Sequence, residues 1–214
     1  MSSGGTVAGE RVYGNKTAAE RRHERRQRLL DAGLELFATT GYANTTVQEL
    51  CGAAGVSART FYEEFDNRED LLVELHDQLN ARAFDTVVTA VAAFPVEQFD
   101  QRAAAGVRAY FEVMTADPRW ARIALVESVG VNDAVDGHRR AAIDRFAELI
   151  DAQLRLTAAE GLIPDRDFAL TATGLVGALN ELVMTYGSRD DWADVAEAVI
   201  AEGTRFVLAV ANAS

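Results

Sequence analysis

The sequence predicts an all-α protein, and three observations support this prediction. Apolar residues recur at intervals of three and four along most of the chain, which is the spacing of one helix face. No window alternates apolar and polar residues over a useful length, so no strand is predicted. Glycine or proline stands at each junction between the periodic segments. The 214 residues, 49% of them hydrophobic, suffice for one or two domains with apolar cores.

The first helix is predicted to begin at Ala18. Residues 1–17 before it are rich in glycine, serine and threonine, and we expect them to form a flexible arm. Five arginines crowd the first half of the helix, and apolar residues from Leu29 to Phe37 share one face of its second half. Gly41 is the expected C-cap.

Two short helices are predicted next. Thr45 stands three residues before Gln48, which is the spacing of a capping box, and the apolar residues after it predict about two helical turns. Gly55 breaks this second helix. Ser57 is expected to cap the third, whose buried side is supplied by two phenylalanines four residues apart. We expect residues 18–65 to form one domain.

Residues 66–214 are expected to form a second, wholly helical domain. The segment Asp66-Asn-Arg-Glu69 is another capping box and opens a long helix that ends before Pro95. The periodic segments beyond Pro95 predict helices at residues 96–116, 118–129, 134–160, 165–186 and 191–212.

The acidic residues are unevenly distributed along the chain. The net charge is −12, from 33 acidic against 21 basic residues, and a protein this acidic should repel nucleic acid if its charge were evenly spread. The first 65 residues are neutral, with eight side chains of each sign, so all the excess acid lies beyond them. Seven cations lie between Arg11 and Arg28 against two glutamates, a local charge of +5. The total charge therefore does not exclude a nucleic-acid partner.

The first three predicted helices form a helix-turn-helix arrangement, in which the third can enter the major groove of DNA. Thr45 and Thr46 offer hydroxyls and backbone N–H groups at the start of the second helix, where the helix dipole favours a phosphate. Arg26 in the basic first helix and the turn at Arg68 would flank this surface. A run of arginines alone is more often a solvated helix face, but its place beside a helix-turn-helix favours DNA contact. The outward residues expected to face DNA are Ala58, Arg59, Thr60 and Tyr62.

Three motifs appear in register in this region: Thr-Thr-Val at 45–47, Ala-Gly-Val-Ser at 54–57 and Phe-Tyr-x-x-Phe at 61–65. Residues 41–72, which contain them, resemble the DNA-binding domain of the TetR-type transcriptional regulators, and residues 26–37 resemble that family's first helix. The sequence departs from the family pattern at Gly33, at Cys51 and at the Glu63-Glu64 pair, whose acid should weaken attraction to phosphate.

The resemblance implies an all-helical homodimer of about nine helices. Its N-terminal three-helix domain would bind a palindromic operator in double-stranded DNA, and its C-terminal domain would bind a ligand and dimerise. Repression would be relieved by a small molecule. Position by position, the DNA contacts that the resemblance implies are Thr46, Ser57, Arg59, Thr60, Tyr62 and Arg68.

The last two predicted helices are strongly apolar and fit a four-helix dimer interface with two helices from each subunit. Small residues on the first of them would let another helix approach closely. Packing within one chain explains the same pattern, but the resemblance favours the dimer. Two recognition helices about 34–36 Å apart would read a palindrome. The predicted interface residues are Gly174, Gly177, Ala178, Val195, Val199 and Phe206.

Bulky side chains on the middle helices are candidates for the lining of an effector pocket, which would suit a largely apolar ligand. Plain core packing is the more frequent explanation for such residues. Polar residues on apolar segments among them could orient a polar group of the ligand, or could form structural hydrogen bonds. The predicted ligand-binding residues are Phe84, Tyr110, Phe111, Met114, Trp120, Ile123, Glu127, Phe146, Asn180 and Met184.

An enzyme is the alternative from another class, but the sequence offers little for it. The three histidines are scattered, Cys51 is expected inside the helix-turn-helix, and no metal-ligand spacing occurs, so no catalytic residue, metal or cofactor is expected. The longest uncharged apolar stretch, residues 168–180, is too short to span a membrane. With no secretory signal, a cytoplasmic location is expected.

A further alternative keeps DNA binding but gives the C-terminal domain a protein partner, or no effector. A core without a cavity of about 300 Å³ would favour it.

Overall fold

The computed structural model describes residues 17–213, and within them it contains nine α-helices and no strand. The predicted all-α fold is therefore confirmed. The expected arm lies outside the described residues, except for Thr17, which caps the first helix. The helices are α1 (Ala18–Thr39), α2 (Val47–Ala54), α3 (Ala58–Glu64), α4 (Arg68–Ala92), α5 (Phe99–Thr115), α6 (Pro118–Arg122), α7 (Asp133–Ala159), α8 (Ala169–Tyr186) and α9 (Trp192–Ala211).

Helices α1 to α3 and the start of α4 pack around one apolar core. Phe37 of α1, Leu50 of α2, Phe61 of α3 and Leu71 of α4 are all fully buried in it. Burying each such side chain stabilises the fold by about 1.5–3 kcal/mol. Gly33 allows the close approach of α1 and α4, because a Cβ at this position would lie 2.2 Å from Cδ2 of Leu71.

The second and fourth helices each begin one residue later than predicted. Thr46, not Thr45, is the N-cap of α2, and it forms a reciprocal capping box with Glu49. Thr45 is completely buried and donates its hydroxyl to the carbonyl of Gly41 at 2.9 Å, so its side chain points into the domain. Asn67 caps α4 by accepting the N–H three residues ahead of it. The predicted cap of α3 by Ser57 is confirmed.

Helix α4 continues into a second bundle, which it forms with α5, α7, α8 and α9. Phe111 of α5 and Val183 of α8 are fully buried near its centre. Helix α8 begins four residues after the predicted start, at Ala169, whose N–H donates to the carboxylate of Asp167 at 3.0 Å.

The segment after α5 joins the two bundles. Helix α6 continues as a π-helical turn, Ile123–Glu127, instead of one regular helix to residue 129. Arg119 of α6 forms an ion pair with Glu35 of α1 at 2.8 Å. Glu127 accepts the backbone N–H of Tyr42, also at 2.8 Å, from the turn between α1 and α2. This segment therefore ties the second bundle to the helix-turn-helix.

Candidate nucleic-acid interface and effector cavity

Helix α3 presents its polar side to solvent. Tyr62 is 58% exposed, although its size and aromatic ring are typical of a core residue. The side chain of Arg59 is 89% exposed and donates to the carboxylate of Glu63 one turn later at 3.0 Å. Ala58 is exposed, and the hydroxyl of Thr60 shares a hydrogen bond with that of Ser57 at 3.0 Å. The outward residues predicted from the sequence thus lie together on one open surface.

The carboxylate of Glu49 lies at the N-terminus of α2. Both the backbone N–H and the hydroxyl of Thr46 donate to the carboxylate of Glu49 at 2.8 Å. These hydrogen bonds hold the pKa of Glu49 below its usual range. Thr46 is exposed as predicted, but the predicted contact by Thr45 is wrong, because a completely buried side chain cannot reach a phosphate.

Two predicted DNA-contacting arginines are engaged inside the domain. Arg68 donates to the carbonyl oxygens of Thr45 and Tyr42 and lies 4.8 Å over the ring of Tyr42. Arg26 pairs with Glu74 of α4 and lies 4.2 Å over a phenylalanine ring at the end of α3. Both guanidinium groups therefore hold helices in place, a role that the sequence did not indicate.

Glu64, at the end of α3, was expected to weaken attraction to phosphate. Its side chain is only 1% exposed, and three arginines of α1 lie within 4 Å of its carboxylate. Glu64 is thus neutralised inside the protein, and Glu63 is the exposed acid of the pair. The residues that contact Glu64 are Arg22, Arg25 and Arg26.

Two adjacent cavities lie within the second bundle. The first, which we call the apolar cavity, has a volume of about 100 Å³ and is lined almost entirely by hydrocarbon groups. The second, which we call the polar cavity, has a volume of about 170 Å³ and has His76, Arg139 and Glu181 in its wall. Each is smaller than the roughly 300–1,000 Å³ typical of ligand pockets, but the two share part of their walls.

The shared wall contains a buried hydrogen bond. The hydroxyl of Tyr110 donates to the side-chain oxygen of Asn180 at 2.5 Å, and both residues line both cavities. Burial raises the pKa of Tyr110, because the phenolate would lose its hydration. Phe146 also lines both cavities, and Met184 lines the polar one.

The helix-turn-helix matches a known protein family, and nearly the whole chain matches a known regulator. Residues 29–75 match the family described as bacterial regulatory proteins, tetR family. The chain is 30% identical over 202 residues to the HTH-type transcriptional regulator EthR of Mycolicibacterium smegmatis, covering 91% of this chain and 89% of the relative. This chain belongs to the tetR family. It is a transcriptional regulator that binds DNA through its helix-turn-helix, like its relatives in this family.

Solved structures of tetR-family regulators share the fold at lower identity. FadR of Bacillus subtilis, solved in complex with stearoyl-CoA, has a TM-score of 0.71 and 18% identity, and covers 83% of this chain and 97% of its own. AibR, solved with isovaleryl coenzyme A and operator DNA, has a TM-score of 0.65 and 17% identity, and covers 83% and 97%.

Six of the ten predicted ligand-binding residues of this tetR-family regulator line neither cavity. Phe111 and Met114 are fully buried in the packed core, and Ile123 belongs to the core of the first bundle. Phe84 lies behind the wall against Phe146, with ring centroids 5.5 Å apart. The six residues that line neither cavity are Phe84, Phe111, Met114, Trp120, Ile123 and Glu127.

Glu127 and Trp120 lie where the two bundles meet. Trp120 packs against both apolar cores. Glu127 accepts from the backbone of Tyr42 and from Nε of Arg122 at 3.0 Å, so both carboxylate oxygens have partners. The apolar context that suggested a ligand contact for Glu127 instead reflects a junction between bundles.

Five of the six predicted dimer residues of the tetR-family chain are exposed or half-buried. Gly174 and Gly177 of α8 are exposed, with open space where a Cβ would stand. Ala178, Val195 and Phe206 are half-buried.

Val199 differs from the rest of this set. It is buried in the core of its own chain beside Ile200, so it cannot lie on an outer face, and this part of the interface prediction is wrong. The exposed face of α8 instead continues through Leu170, which is 90% exposed, a residue that the sequence did not single out.

Residues 17–213 contain neither a metal site nor a membrane-spanning helix. No three histidine, cysteine, aspartate or glutamate side chains in this range come together as a metal site requires. No helix in the same range is long and apolar enough to cross a lipid bilayer.

Proposed function

We propose that this regulator is a repressor that binds a palindromic operator as a homodimer and is released by a small molecule. The exposed polar side of α3 is the observation that carries the DNA-binding part. Arg59 and Tyr62 project from a short, capped helix whose opposite side is held by Phe61 in the core. A rigidly held helix with exposed polar groups suits direct readout in the major groove.

The contact set that we propose is narrower than the sequence suggested. Ala58, Arg59, Thr60 and Tyr62 supply the readout, and Ser57 and Thr46 lie beside them at helix N-termini. Arg26 and Arg68 act by positioning α3 and the α1–α2 turn, because their guanidinium groups are already engaged. We propose that the DNA-binding domain comprises residues 18–65 and the effector-binding and dimerisation domain residues 66–214.

The effector part of the proposal rests on the paired cavities. FadR and AibR, which share the fold, are solved with acyl-coenzyme A molecules. A molecule that entered the apolar cavity would have to displace Tyr110, Phe146 or their neighbours, because that cavity alone is only about 100 Å³. Such a displacement gives a ligand the differential affinity between two conformations that release from DNA requires.

The dimer is proposed to form through the exposed face of α8. Leu170 and Met184 are 90% and 43% exposed at the two ends of this face, and the two glycines between them leave open space for a facing helix. Burying this face against its symmetry copy would remove apolar surface from water.

The experiment that tests the proposal begins with selection of DNA fragments by the purified protein. Sequencing should return an inverted repeat, and gel shifts on that fragment should be weakened about tenfold or more by Arg59→Ala. Arg155→Ala, which removes an exposed arginine of α7, is the matched control and should not change affinity. Equal affinity of both variants, or a selected site without symmetry, would contradict the proposal.

A second candidate function gives the second bundle a protein partner, or no effector. The small volume of each cavity is the observation that favours it. Release of the selected fragment by an apolar small molecule separates the two candidates, since only the first predicts it.

A further inference from the structure

The two cavities of the second bundle share part of their walls, but one is lined by apolar groups and the other also by polar groups. Tyr110, Phe146, Val176 and Asn180 line both. Each volume, about 100 Å³ and about 170 Å³, is small for a ligand pocket. A single molecule that extends across the shared wall would use both volumes, and its two ends would meet different surroundings.

The apolar cavity offers nothing for a polar group to bind. Its two long polar side chains are Arg102 and Gln153, and the guanidinium group of Arg102 donates to the side-chain oxygen of Gln153. The same guanidinium group donates to the carbonyl of Phe94 at 2.5 Å. These polar groups are thus already paired with each other. The Tyr110 hydroxyl is likewise paired with the side-chain oxygen of Asn180 in the shared wall, and the remaining lining side chains are apolar.

Most polar groups of the polar cavity are also paired. The ring nitrogens of His76 lie 3.2 Å from a carboxylate oxygen of Asp77 and 3.3 Å from the amide nitrogen of Asn80. The carboxylate of Glu181 accepts the hydroxyl of Thr185 at 3.0 Å.

Arg139 is the exception in this cavity. Its Nε is buried and has no hydrogen-bond acceptor within residues 17–213. The carboxylate of Asp136, one turn earlier on α7, forms an ion pair with Arg139 at 3.5 Å but does not meet the geometry of a hydrogen bond to Nε, and the Arg139 side chain as a whole is 28% exposed. A buried N–H donor without an acceptor is destabilising, and a ligand that supplies an acceptor removes that cost.

We propose that the effector is an acyl compound, whose hydrocarbon chain fills the apolar cavity and whose carbonyl-type oxygen accepts a hydrogen bond from Arg139 in the polar cavity. This inference rests on the proposed function and adds to it the class of ligand and the residue that recognises its head group. Because Asp136 already forms an ion pair with Arg139, the recognised feature is the oxygen acceptor, which a carboxylate and an ester both carry.

Calorimetric binding of three probes to the full-length protein tests this assignment. Octanoate and methyl octanoate each carry a hydrocarbon chain and a carbonyl oxygen, whereas ethylbenzene is apolar and carries no acceptor. The test variant is Arg139→Gln. Arg140→Gln is the matched control, because Arg140 is the next residue of α7, is exposed and lines neither cavity.

Arg139→Gln is expected to weaken binding of octanoate, methyl octanoate or both about tenfold or more, and to change ethylbenzene binding less than about twofold. Loss of octanoate alone identifies a carboxylate head group, and loss of both identifies the carbonyl. Arg140→Gln should change none of the three. Thermal unfolding of each free variant verifies that it is folded.

Two results overturn the inference, and they are distinguishable. If all three probes bind but none depends on Arg139, the head-group assignment fails while the apolar effector site stands. If ethylbenzene also fails to bind the unchanged protein, the effector part of the proposed function fails with it. Selection of an inverted-repeat operator would still support the DNA-binding part in either case.

Discussion

The carboxylate of Glu64 lies 3.0 Å from Nε of Arg22, with its own side chain 99% removed from solvent. Arg25 and Arg26 lie 3.8 and 3.7 Å from the same carboxylate. An acid at the end of the DNA-reading helix is thereby joined to the basic helix α1. A buried carboxylate is tolerated because it is paired, and its three arginine partners remain partly exposed, with the Arg22 side chain 63% exposed.

Glu64→Gln is expected to lower the free energy of unfolding by about 1–3 kcal/mol, because three guanidinium groups lose their shared anion. Arg22 and Arg25, which lose this partner, should also steepen the salt dependence of DNA binding, since each added phosphate contact releases a counterion. Urea denaturation and gel shifts over a salt series measure the two effects.

The matched control for this change is Glu63→Gln, which removes the same charge from the adjacent, exposed position. It should cost less than about 0.5 kcal/mol of stability, as exposed pairs usually do. If both variants lose equally little stability, the cluster around Glu64 does not stabilise the domain.

The sequence predicts the fold better than it predicts the polar contacts. Helical spacing identified Phe61 as buried and Ser57 as a cap because these are local properties of one helix. The partners of Arg26, Arg68 and Glu127 lie 48, 23 and 85 residues away along the chain. Periodicity indicates which face of a helix is inside but not which polar group it meets there. Arg26 and Arg68 were therefore assigned to DNA, and Glu127 to the ligand, instead of to neighbouring helices.

The junction formed by Glu127 should contribute measurably to stability. Glu127→Gln replaces a charged acceptor of the Tyr42 N–H by a neutral one and removes the charge that pairs with Arg122. Because the side chain is only 11% exposed, we expect a loss of about 1–2 kcal/mol in urea denaturation. Glu160→Gln, at an exposed position after α7, is the control and should lie within about 0.5 kcal/mol of the unchanged protein. An equally stable Glu127→Gln variant would mean that the junction contributes nothing.

The buried Tyr110 should make the protein sensitive to alkaline pH. Burial raises the pKa of Tyr110 above the ordinary value of 10.0, so the unfolded chain ionises first as pH rises. The free energy of unfolding should therefore be unaffected by this group below pH 10.0 and should fall above it, by up to about 1.4 kcal/mol per pH unit. Tyr42, whose pKa is also raised chiefly by burial, adds a similar fall of its own.

Tyr110→Phe removes one of these two ionisations. The variant should lose about 1 kcal/mol at neutral pH, because its hydrogen bond to Asn180 is gone, and should then lose less stability than the unchanged protein above pH 10.0. Urea denaturation from pH 7 to 11 measures both. In the exposed control Tyr62→Phe, the curve should coincide with that of the unchanged protein. If the free energy of unfolding falls equally steeply above pH 10.0 in Tyr110→Phe and in the unchanged protein, Tyr110 does not ionise in the way that its burial predicts.

The outer face of α8 should be sensitive to charge if it forms the dimer interface. Leu170 is 90% exposed on this face, and the leucine would leave water only in an assembly. Leu170→Glu would place two carboxylates at a symmetric, desolvated contact, so we expect the dissociation constant of the dimer to rise by tenfold or more in sedimentation equilibrium. Leu162→Glu, at an exposed leucine in the loop before α8, is the matched control and should leave the dimer intact. Because Leu170 lies on the surface of the single chain, the variant should fold normally, and an unchanged dimer would exclude this face of α8 from the interface.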